Sequence, residues 1–198
     1  MAGWYVLDVS KGGIVNIIPN AIPRSLCRAA EAAWPTTDWP HWHRYDGATA
    51  NKYGSMDRSR IPAACLAALD ALAVAVIPYI GDSFIDYDLH AAGLHMMGPG
   101  GFLGRHLDAE RHPIRPWRRT HSIVLSVNEN WSAEYGGQLV IGSDPHVPES
   151  GTAIVFETLG QQHEVLPVAC GHRKTLALFA WVVDRDSEGT TSAQFTGA

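Results

Sequence analysis

The sequence predicts a mainly β fold of the α+β class, in which an antiparallel sandwich or barrel follows two helices. From residue 84 onward, seven short apolar or β-branched runs recur between Gly, Pro, Asn and Asp residues. Short strands separated by turn residues at this spacing are typical of all-β sandwiches and barrels. The runs are 84–89, 93–97, 122–127, 138–141, 152–156, 164–168 and 175–183.

The first 83 residues predict two short strands, two helices and one long loop. The β-rich runs are 4–9 and 14–18. A helix is predicted over 24–34, between Pro23 and Pro35, and an Ala-rich run over 62–80 predicts a second helix that is apolar on nearly every side. Such a helix must be buried, so we expect the helices to cover the outer face of one sheet. Residues 35–60, rich in Trp, His and Tyr, are expected to form a loop.

Length and composition are those of one globular domain. A chain of 198 residues with 46% hydrophobic and 18% charged residues can bury one core. We expect a single domain over 1–198, with an N-terminal part to residue 83, a β core over 84–183 and a flexible tail over 184–198. No apolar run reaches the roughly 18 residues of a membrane span, no signal peptide is recognisable, and the three cysteines suggest no disulfide framework. We therefore expect a cytoplasmic protein without a membrane partner.

The charge of the chain argues against a nucleic-acid partner. The net charge is −5 at pH 7, whereas general nucleic-acid binders are usually basic. Five arginines nevertheless lie between positions 105 and 119. Arginine suits paired contacts with carboxylates or phosphates, so this cluster either selects an anionic ligand or forms a solvated loop.

A metal site is the chemistry that the histidines and carboxylates indicate. His106 and Asp108 are two residues apart, which on a strand points both side chains to one face. Because chance predicts about 0.6 such triplets in this composition, the pair needs a third ligand from another strand. His163, at the start of a strand-like run, is the best candidate. Two histidines and one carboxylate on one side of a metal form the facial triad of non-haem Fe(II) oxygenases.

A buried cation is expected near the same site. The run that begins at His163 is followed by a turn at 169–172 and an apolar strand that starts near Arg173. We expect these two strands to form a hairpin, which brings Arg173 within reach of the pocket of His163. A guanidinium placed there can hold a dicarboxylate through paired hydrogen bonds.

Residues 99–183 resemble the double-stranded β-helix (jelly-roll, cupin-like) core of the Fe(II)/2-oxoglutarate oxygenases, and most closely the prolyl 4-hydroxylase-like subgroup. Four motifs in the same order carry the resemblance. They are GGF at 100–102 leading into HLD at 106–108, EYGGQL at 134–139, PESGTAIVF at 148–156, and HxVxPVxxGxR at 163–173. Each motif is weak alone, and their common order and spacing make the resemblance specific.

The resemblance implies a role for each matched position. His106, Asp108 and His163 match the Fe(II) ligands, Arg173 matches the residue that pairs with the distal carboxylate of 2-oxoglutarate, and Thr175 adds a hydroxyl on the same face. The implied reaction consumes O2 and 2-oxoglutarate, releases succinate and CO2, and hydroxylates an unactivated C–H bond.

One position departs from the family pattern. Such proteins often carry a tyrosine nine residues before the first histidine ligand, and here that position is Met97, which cannot donate a hydrogen bond. Either His95 replaces the tyrosine, or Arg173 and Thr175 suffice. His90 is expected to be an ordinary core histidine. His112 has no partner at ligand spacing, so exposure or backbone hydrogen bonding explains it.

Three alternatives for the function stay open from the sequence. A prolyl residue in a peptide or protein predicts an open groove in which Trp39, Trp42 and Tyr45 of the aromatic loop cover the substrate. A free amino acid or other small metabolite predicts an enclosed pocket with Arg115, Arg118 or Arg119 at its wall. A non-catalytic, cupin-like metal-binding module is the third, and Met97 is the feature that favours it.

Overall fold

The computed structural model describes residues 5–7, 13–44, 49–90 and 92–184. The described residues form twelve strands and two α-helices, as the sequence predicts for a mainly β fold. The N-terminal elements are β1 (Tyr5–Leu7), β2 (Val15–Ile18), α1 (Arg24–Ala32), β3 (His43–Arg44), β4 (Thr49–Ser55), α2 (Ala63–Ala75) and β5 (Phe84–Ile85). The remaining strands are β6 (Gly93–His106), β7 (Trp117–Ser126), β8 (Leu139–Ile141), β9 (Asp144–His146), β10 (Ala153–Glu157), β11 (His163–Val165) and β12 (Arg173–Val183).

The strands form one curled antiparallel sheet in the order β1-β2-β10-β7-β12-β6-β11-β8-β9. Strand β4 adds to the free side of β6, β3 pairs with β4, and β5 pairs with β12. None of the helices among the described residues is long and apolar enough to cross a membrane.

Strand β12 shows why the sheet buries both of its faces. Leu176 and Leu178 belong to the core that also contains residues of α1 and α2, whereas Arg173, Thr175 and Ala177 line a cavity on the opposite face. This alternation is the two-residue period of a strand. The helices therefore cover one face of the sheet, as expected, and the other face encloses the cavity.

Strand β6 brings the two ends of the site together because it pairs with two different strands. Its first half, Gly93 to Met97, pairs with β12, and its second half pairs with β11 at Leu103 and His106. Between these halves the backbone amide of Gly100, at a φ of 76° that favours glycine, donates to the carbonyl of Val168. The expected hairpin is wrong: β11 and β12 both pair with β6 rather than with each other.

The largest correction concerns residues 35–60. We expected a loop there, but β3 and β4 lie within this stretch, and β4 pairs with β6 along most of its length. The polar and aromatic composition of this stretch does not indicate a strand. Its partner lies some 45 positions later in the chain, so local sequence patterns cannot reveal the pairing. Strand β9 was also not predicted, and α2 ends at Ala75, before a short 3-10 turn at Ile77–Tyr79 that contains Pro78. Residues 185–198 of the expected tail lie outside the described residues.

Candidate active site

The inner face of the curled sheet encloses a cavity of about 260 Å³. Strands β4, β6, β7, β8, β10, β11 and β12 all contribute side chains to it. One part of its wall is apolar and is formed by Met97, Leu103, Val124, Leu139, Phe156 and Val165. Ala109, Ala177 and Phe179 also line the cavity, and the remaining lining residues are polar or charged and include most of those that the sequence singled out.

The three predicted metal ligands meet at this cavity. His106 ends β6, His163 begins β11 directly opposite it, and Asp108 follows two residues after the end of β6. The Nε2 atom of His106 lies 3.6 Å from Oδ1 of Asp108, and Nε2 of His163 lies 3.8 Å from Oδ2. One nitrogen or oxygen atom from each residue falls within 4.8 Å of the others, a spacing that one metal ion can bridge.

Backbone carbonyls set the tautomer of both histidines. Nδ1 of His106 lies 2.9 Å from the carbonyl oxygen of Gly104, and Nδ1 of His163 lies 3.2 Å from that of Gln161. A carbonyl oxygen only accepts, so each Nδ1 must carry the hydrogen. In the neutral ring the Nε2 atom, on the side of Asp108, therefore keeps a lone pair that a metal ion can accept. The contact from Nδ1 is the second hydrogen bond that metal-binding histidines commonly make.

The Asp108 carboxylate is held in its charged form. Burial opposes its ionisation, but the hydrogen bond with His106, the electrostatic interaction with His163 and the contacts with Ser122 and Arg119 outweigh burial, so the pKa of Asp108 lies below its usual range. Ser122 Oγ donates a short hydrogen bond to Oδ2, and Nη1 of Arg119 lies 3.5 Å from the same oxygen. A metal ion would therefore meet an ionised carboxylate.

The two histidines differ in basicity. The hydrogen bond to Asp108 raises the pKa of His106 above its ordinary value despite partial burial, whereas burial lowers the pKa of His163. Burial therefore favours the neutral form of His163, which can act as a ligand, whereas the protonated form of His106 would have to lose its proton before it could bind a metal.

Arg173 lies at a different level of the same cavity. It is 4% exposed and stands opposite Met97, whereas His163 stands opposite His106 nine positions further along β6. Its Nε donates to the Gly137 carbonyl at 2.8 Å, and Nη1 donates to Thr175 Oγ1 at 3.3 Å.

The Arg173 guanidinium stays charged in this position. Burial lowers the pKa of Arg173 to about 10, so it remains protonated at neutral pH. Among the described residues no carboxylate lies within ion-pair distance of it. Because a buried charge is costly without an opposite charge, this arrangement indicates an anion site.

His95 and Met97 line the cavity beside Arg173. His95 pairs with Thr175 across β6 and β12, and Met97 is 2% exposed at the position where the family often has tyrosine. The backbone carbonyl of His95 accepts a hydrogen bond from Thr175 Oγ1 at 3.4 Å. His95 is thus placed at the pocket, as its predicted role requires.

The predicted substrate contacts are mostly elsewhere. Trp39 and Trp42 pack edge to face at 5.2 Å, and Trp42 packs towards the helix-side core rather than lining the cavity. Arg118 is exposed, whereas its neighbour Arg119 lines the cavity wall and lies 3.6 Å above the Phe179 ring. Tyr45 lies outside the described residues.

The sequence analysis did not identify two residues of the site. Lys52 of β4 lines the cavity and is 8% exposed, and Ser122 of β7 holds Asp108. Lys52 falls in the stretch that we expected to be a loop, and a single serine in an apolar strand carries no signal of its function. Only the strand pairing places either residue at the site.

A second cluster, Asp86, His90 and His112, also brings possible ligand atoms together, contrary to the expectation that His112 has no partner. Its hydrogen bonds give it a structural role. Nδ1 of His112 accepts from the backbone amides of Ile114 and Arg115 at 3.2 and 3.0 Å, so its Nε2 must carry the hydrogen and donate to Asp86 Oδ2 at 3.1 Å. A nitrogen that donates to a carboxylate has no lone pair for a metal.

The His106, Asp108 and His163 cluster, by contrast, fits a divalent metal, and the buried Arg173 fits a carboxylate. The first supplies two nitrogen lone pairs and an ionised carboxylate facing the cavity, which is the ligand set of a non-haem Fe(II) centre. The second supplies a planar donor group suited to a carboxylate.

Comparisons with known proteins agree with this geometry. Residues 92–181 match the sequence profile of the 2OG-Fe(II) oxygenase superfamily. No curated protein matches the sequence.

Several solved structures have the same fold. A Pseudomonas putida prolyl-4-hydroxylase superposes with a TM-score of 0.63 at 25% identity, covering 87% of this chain and 94% of that one. A prolyl hydroxylase from Trichoplax adhaerens, in complex with a hypoxia-inducible-factor oxygen degradation domain peptide, gives 0.60 at 19% identity, covering 94% and 90%. The viral collagen prolyl hydroxylase of Paramecium bursaria Chlorella virus-1, as its 2-oxoglutarate complex, gives 0.57 at 13% identity, covering 89% and 99%.

The profile match, the double-stranded β-helix fold and the ligand set point to one family and its Fe(II), 2-oxoglutarate and O2 chemistry. The chain therefore contains a 2OG-Fe(II) oxygenase domain, matched over residues 92–181, and its fold is prolyl 4-hydroxylase-like.

Proposed function

We propose that this oxygenase hydroxylates a prolyl residue in a peptide or protein and converts 2-oxoglutarate to succinate and CO2. The observation that carries the proposal is the pairing, in one cavity, of a three-ligand cluster with a buried guanidinium at a separate level of β6. This arrangement suits a ligand that has a chelating head and a distal carboxylate.

Different side chains bind the metal and the cosubstrate. His106, Asp108 and His163 hold the iron, and Arg173 with Thr175 holds the distal carboxylate of 2-oxoglutarate. When bound, iron and 2-oxoglutarate supply the oxidising chemistry that protein side chains lack. The protein keeps Asp108 ionised, directs the Nε2 lone pairs and surrounds the reacting atoms with an apolar wall that excludes water.

Two observations favour a prolyl peptide as the substrate: the similarity to solved prolyl hydroxylases and the volume of the cavity. The neighbour at 25% identity is a prolyl-4-hydroxylase, and the Trichoplax structure holds a peptide. At about 260 Å³ the cavity is slightly smaller than most ligand pockets, which span roughly 300–1,000 Å³. Such a volume suits the cosubstrate and one compact side chain, while the rest of the substrate stays at the mouth.

A free amino acid or other anionic metabolite is the second candidate, and Arg119 is the observation that favours it. Arg119 stands at the cavity wall as the metabolite alternative predicts, and its buried Nε makes no hydrogen bond to any described residue. Trp39 and Trp42, which a covering loop would bring to the pocket, pack elsewhere. The third alternative, a non-catalytic metal-binding module, is disfavoured by the match of residues 92–181 to the oxygenase superfamily and by the likeness to a prolyl-4-hydroxylase.

Two steps test the proposal. Anaerobic addition of Fe(II) and 2-oxoglutarate to the apo-protein should give the weak visible charge-transfer band of the chelate. The band should be absent in His163→Ala and should require far more 2-oxoglutarate in Arg173→Ala. His121→Ala is the matched control, because His121 lies on the face of β7 opposite Ser122.

In air, succinate release and the gain of one oxygen by mass spectrometry are then compared between proline-containing peptides and free amino acids. Turnover of peptides supports the proposal, and turnover of free amino acids alone supports the second candidate. A protein that binds iron but gives no band and no succinate with any substrate contradicts both.

A further inference from the structure

Thr158 is a buried polar residue that the roles assigned so far do not use. It directly follows β10 and is 2% exposed. Its backbone amide donates to the carbonyl of Thr120 at 2.9 Å, which attaches Thr158 to β7. Strand β7 also carries Ser122, the residue whose hydroxyl holds the Asp108 carboxylate. Thr158 is therefore fixed beside a supporting partner of a proposed metal ligand.

The side-chain hydroxyl of Thr158 contacts the hydroxyl of Ser122. Oγ1 of Thr158 lies 3.4 Å from Oγ of Ser122, and the geometry alone allows either atom to donate. Ser122 has a single hydroxyl hydrogen, which it gives to Oδ2 of Asp108, because an ionised carboxylate only accepts. Thr158 must therefore be the donor in its contact with Ser122. The hydroxyls form a chain that runs from Thr158 to Ser122 and ends at Asp108.

The backbone carbonyl of Thr158 is connected to a second proposed ligand. It accepts from the amide of Gln161 at 3.4 Å, within the turn between β10 and β11. The carbonyl of Gln161 in turn accepts from Nδ1 of His163 at 3.2 Å. Thr158 thus contacts the partner of Asp108 through its side chain and the partner of His163 through its backbone. Partners of this kind orient metal ligands and affect metal affinity.

We infer that Thr158 is a positioning residue for the metal site, which acts through Ser122 on Asp108. A serine hydroxyl can rotate, and its oxygen accepts as well as donates. Because Thr158 donates to that oxygen, the Ser122 hydrogen stays directed at the carboxylate, and hydrogen bonds in such a chain strengthen one another. The inference rests on the proposed metal site, since the effect of Thr158 is measured as metal binding by Asp108.

The test is a double-mutant cycle read by Co(II) binding, which is followed anaerobically through the visible absorption of the bound ion. Thr158→Val replaces the hydroxyl with a methyl group and should weaken Co(II) binding roughly 3- to 10-fold, the range of one neutral hydrogen bond. Thr158→Ser keeps the hydroxyl and should restore the affinity of the wild type. Ser122→Ala combined with Thr158→Val should bind no more weakly than Ser122→Ala alone, because the chain is already broken.

Thr120→Val is the matched control for the loss of a threonine hydroxyl. Oγ1 of Thr120 donates to Ser83 Oγ at 2.8 Å and to the Ala180 carbonyl at 3.1 Å, and the residue does not line the described cavity. This substitution should lower stability and leave the Co(II) affinity unchanged. Urea unfolding of each apo variant separates a loss of stability from a loss of affinity. If Thr158→Val does not fold, Thr158→Ala takes its place in the cycle.

The outcomes separate this inference from the proposed function. If Thr158→Val binds Co(II) as tightly as the wild type, or if its loss adds in full to that of Ser122→Ala, Thr158 does not act through Ser122 and the inference is wrong. A Thr158→Ser variant as weak as Thr158→Val contradicts it too. If the wild type does not bind Co(II), or if His163→Ala binds it equally well, the proposed metal site itself fails.

Discussion

Both proposed histidine ligands depend on a backbone carbonyl two residues earlier in the chain. His106 donates to Gly104 and His163 donates to Gln161, and both rings consequently turn their Nε2 lone pairs inward. The same argument excludes His112, whose Nδ1 accepts from two amides. At the scale of single residues, then, the hydrogen-bond partner of one ring nitrogen decides whether a histidine can bind a metal or only donate to a carboxylate.

Ser122 provides a first prediction at this scale. Ser122→Ala removes the hydroxyl that holds Oδ2 of Asp108, so the carboxylate should lose its fixed orientation. Substituting such a supporting partner commonly weakens metal binding about 10- to 100-fold. Anaerobic titration with Co(II), followed by its visible absorption, measures the effect. Ser132→Ala, which removes a hydroxyl at an exposed turn, is the control, and equal affinities in the two variants would contradict the prediction.

A second prediction concerns Lys52 and the pH dependence of the stability of the fold. Burial lowers the pKa of Lys52 to about 8 from the ordinary 10.5, although the nearby Asp108 favours the charged form. Between pH 8 and 10.5 the unfolded chain therefore binds more protons at this residue than the folded chain does, so this residue makes stability rise with pH in that window. Below pH 8 the buried ammonium costs at most about 3 kcal/mol.

Lys52→Met should accordingly stabilise the apo-protein at pH 7, and the gain should shrink towards pH 10.5. Urea unfolding of the apo wild-type and variant proteins at pH 7 and pH 10 measures the gain in unfolding free energy at each pH. A variant that is less stable than the wild type at pH 7 would show that the buried ammonium is net stabilising.

At the scale of elements, the turn before β8 fixes the position of Arg173. Gly137 has a φ of +71°, and its carbonyl accepts from Arg173 Nε. A Cβ at this glycine would lie 2.9 Å from Cδ of Arg173. The turn therefore needs glycine at this position for two reasons: its backbone is left-handed, and the arginine occupies the space that a Cβ would fill.

Gly160 offers a matched control for a third prediction. It also has a φ of +71°, but a Cβ there would meet nothing within 4 Å. Gly160→Ala should cost only the backbone strain, about 1–2 kcal/mol. Gly137→Ala should cost more and should also weaken 2-oxoglutarate binding by about tenfold or more, the range of a charge-assisted contact. Urea unfolding and calorimetry measure the two quantities, and equal 2-oxoglutarate affinity in both variants would show that Gly137 does not position Arg173.

For the whole molecule, the site joins parts of the fold that are distant in sequence. The cavity lies within one core cluster that contains Met97, Phe156 and Val165, and a second cluster lies between the sheet and the helices. The proposed metal site connects β6 to β11, and the proposed 2-oxoglutarate site connects them to β12 through Arg173. A ligand that bridges these strands should stabilise the entire fold.

The fourth prediction follows from this connection. Mn(II) with 2-oxoglutarate, each at about 100 times its Kd, should add about 2.7 kcal/mol or more of stability. For a chain of this size that corresponds to a Tm increase of roughly 5–10 °C. Differential scanning calorimetry measures the shift, which should vanish in His163→Ala and persist in His121→Ala. An equal shift in both variants would place the stabilising site elsewhere.

The class of fold and the type of chemistry could both be predicted from the sequence alone. Alternating apolar runs with turn residues predicted the mainly β fold, and four motifs in order identified the oxygenase family, both of which are confirmed. The candidate ligands and Arg173 were named from their motifs, and the structure brings them to one cavity. Local spacing suffices for these features because a strand has a short period and the motifs are contiguous.

The other residues of the site could be identified only from the way the strands pair. Lys52 and Ser122 reach it through strand pairing over long sequence distances, while Trp39 and Trp42 pack elsewhere. Pairing partners depend on burial and on contacts across the sheet, which no local window contains. Because local sequence does not show which strands pair, we predicted that a hairpin places Arg173 beside His163. In the structure, β11 and β12 each pair with the long strand β6, which brings the two residues to one cavity.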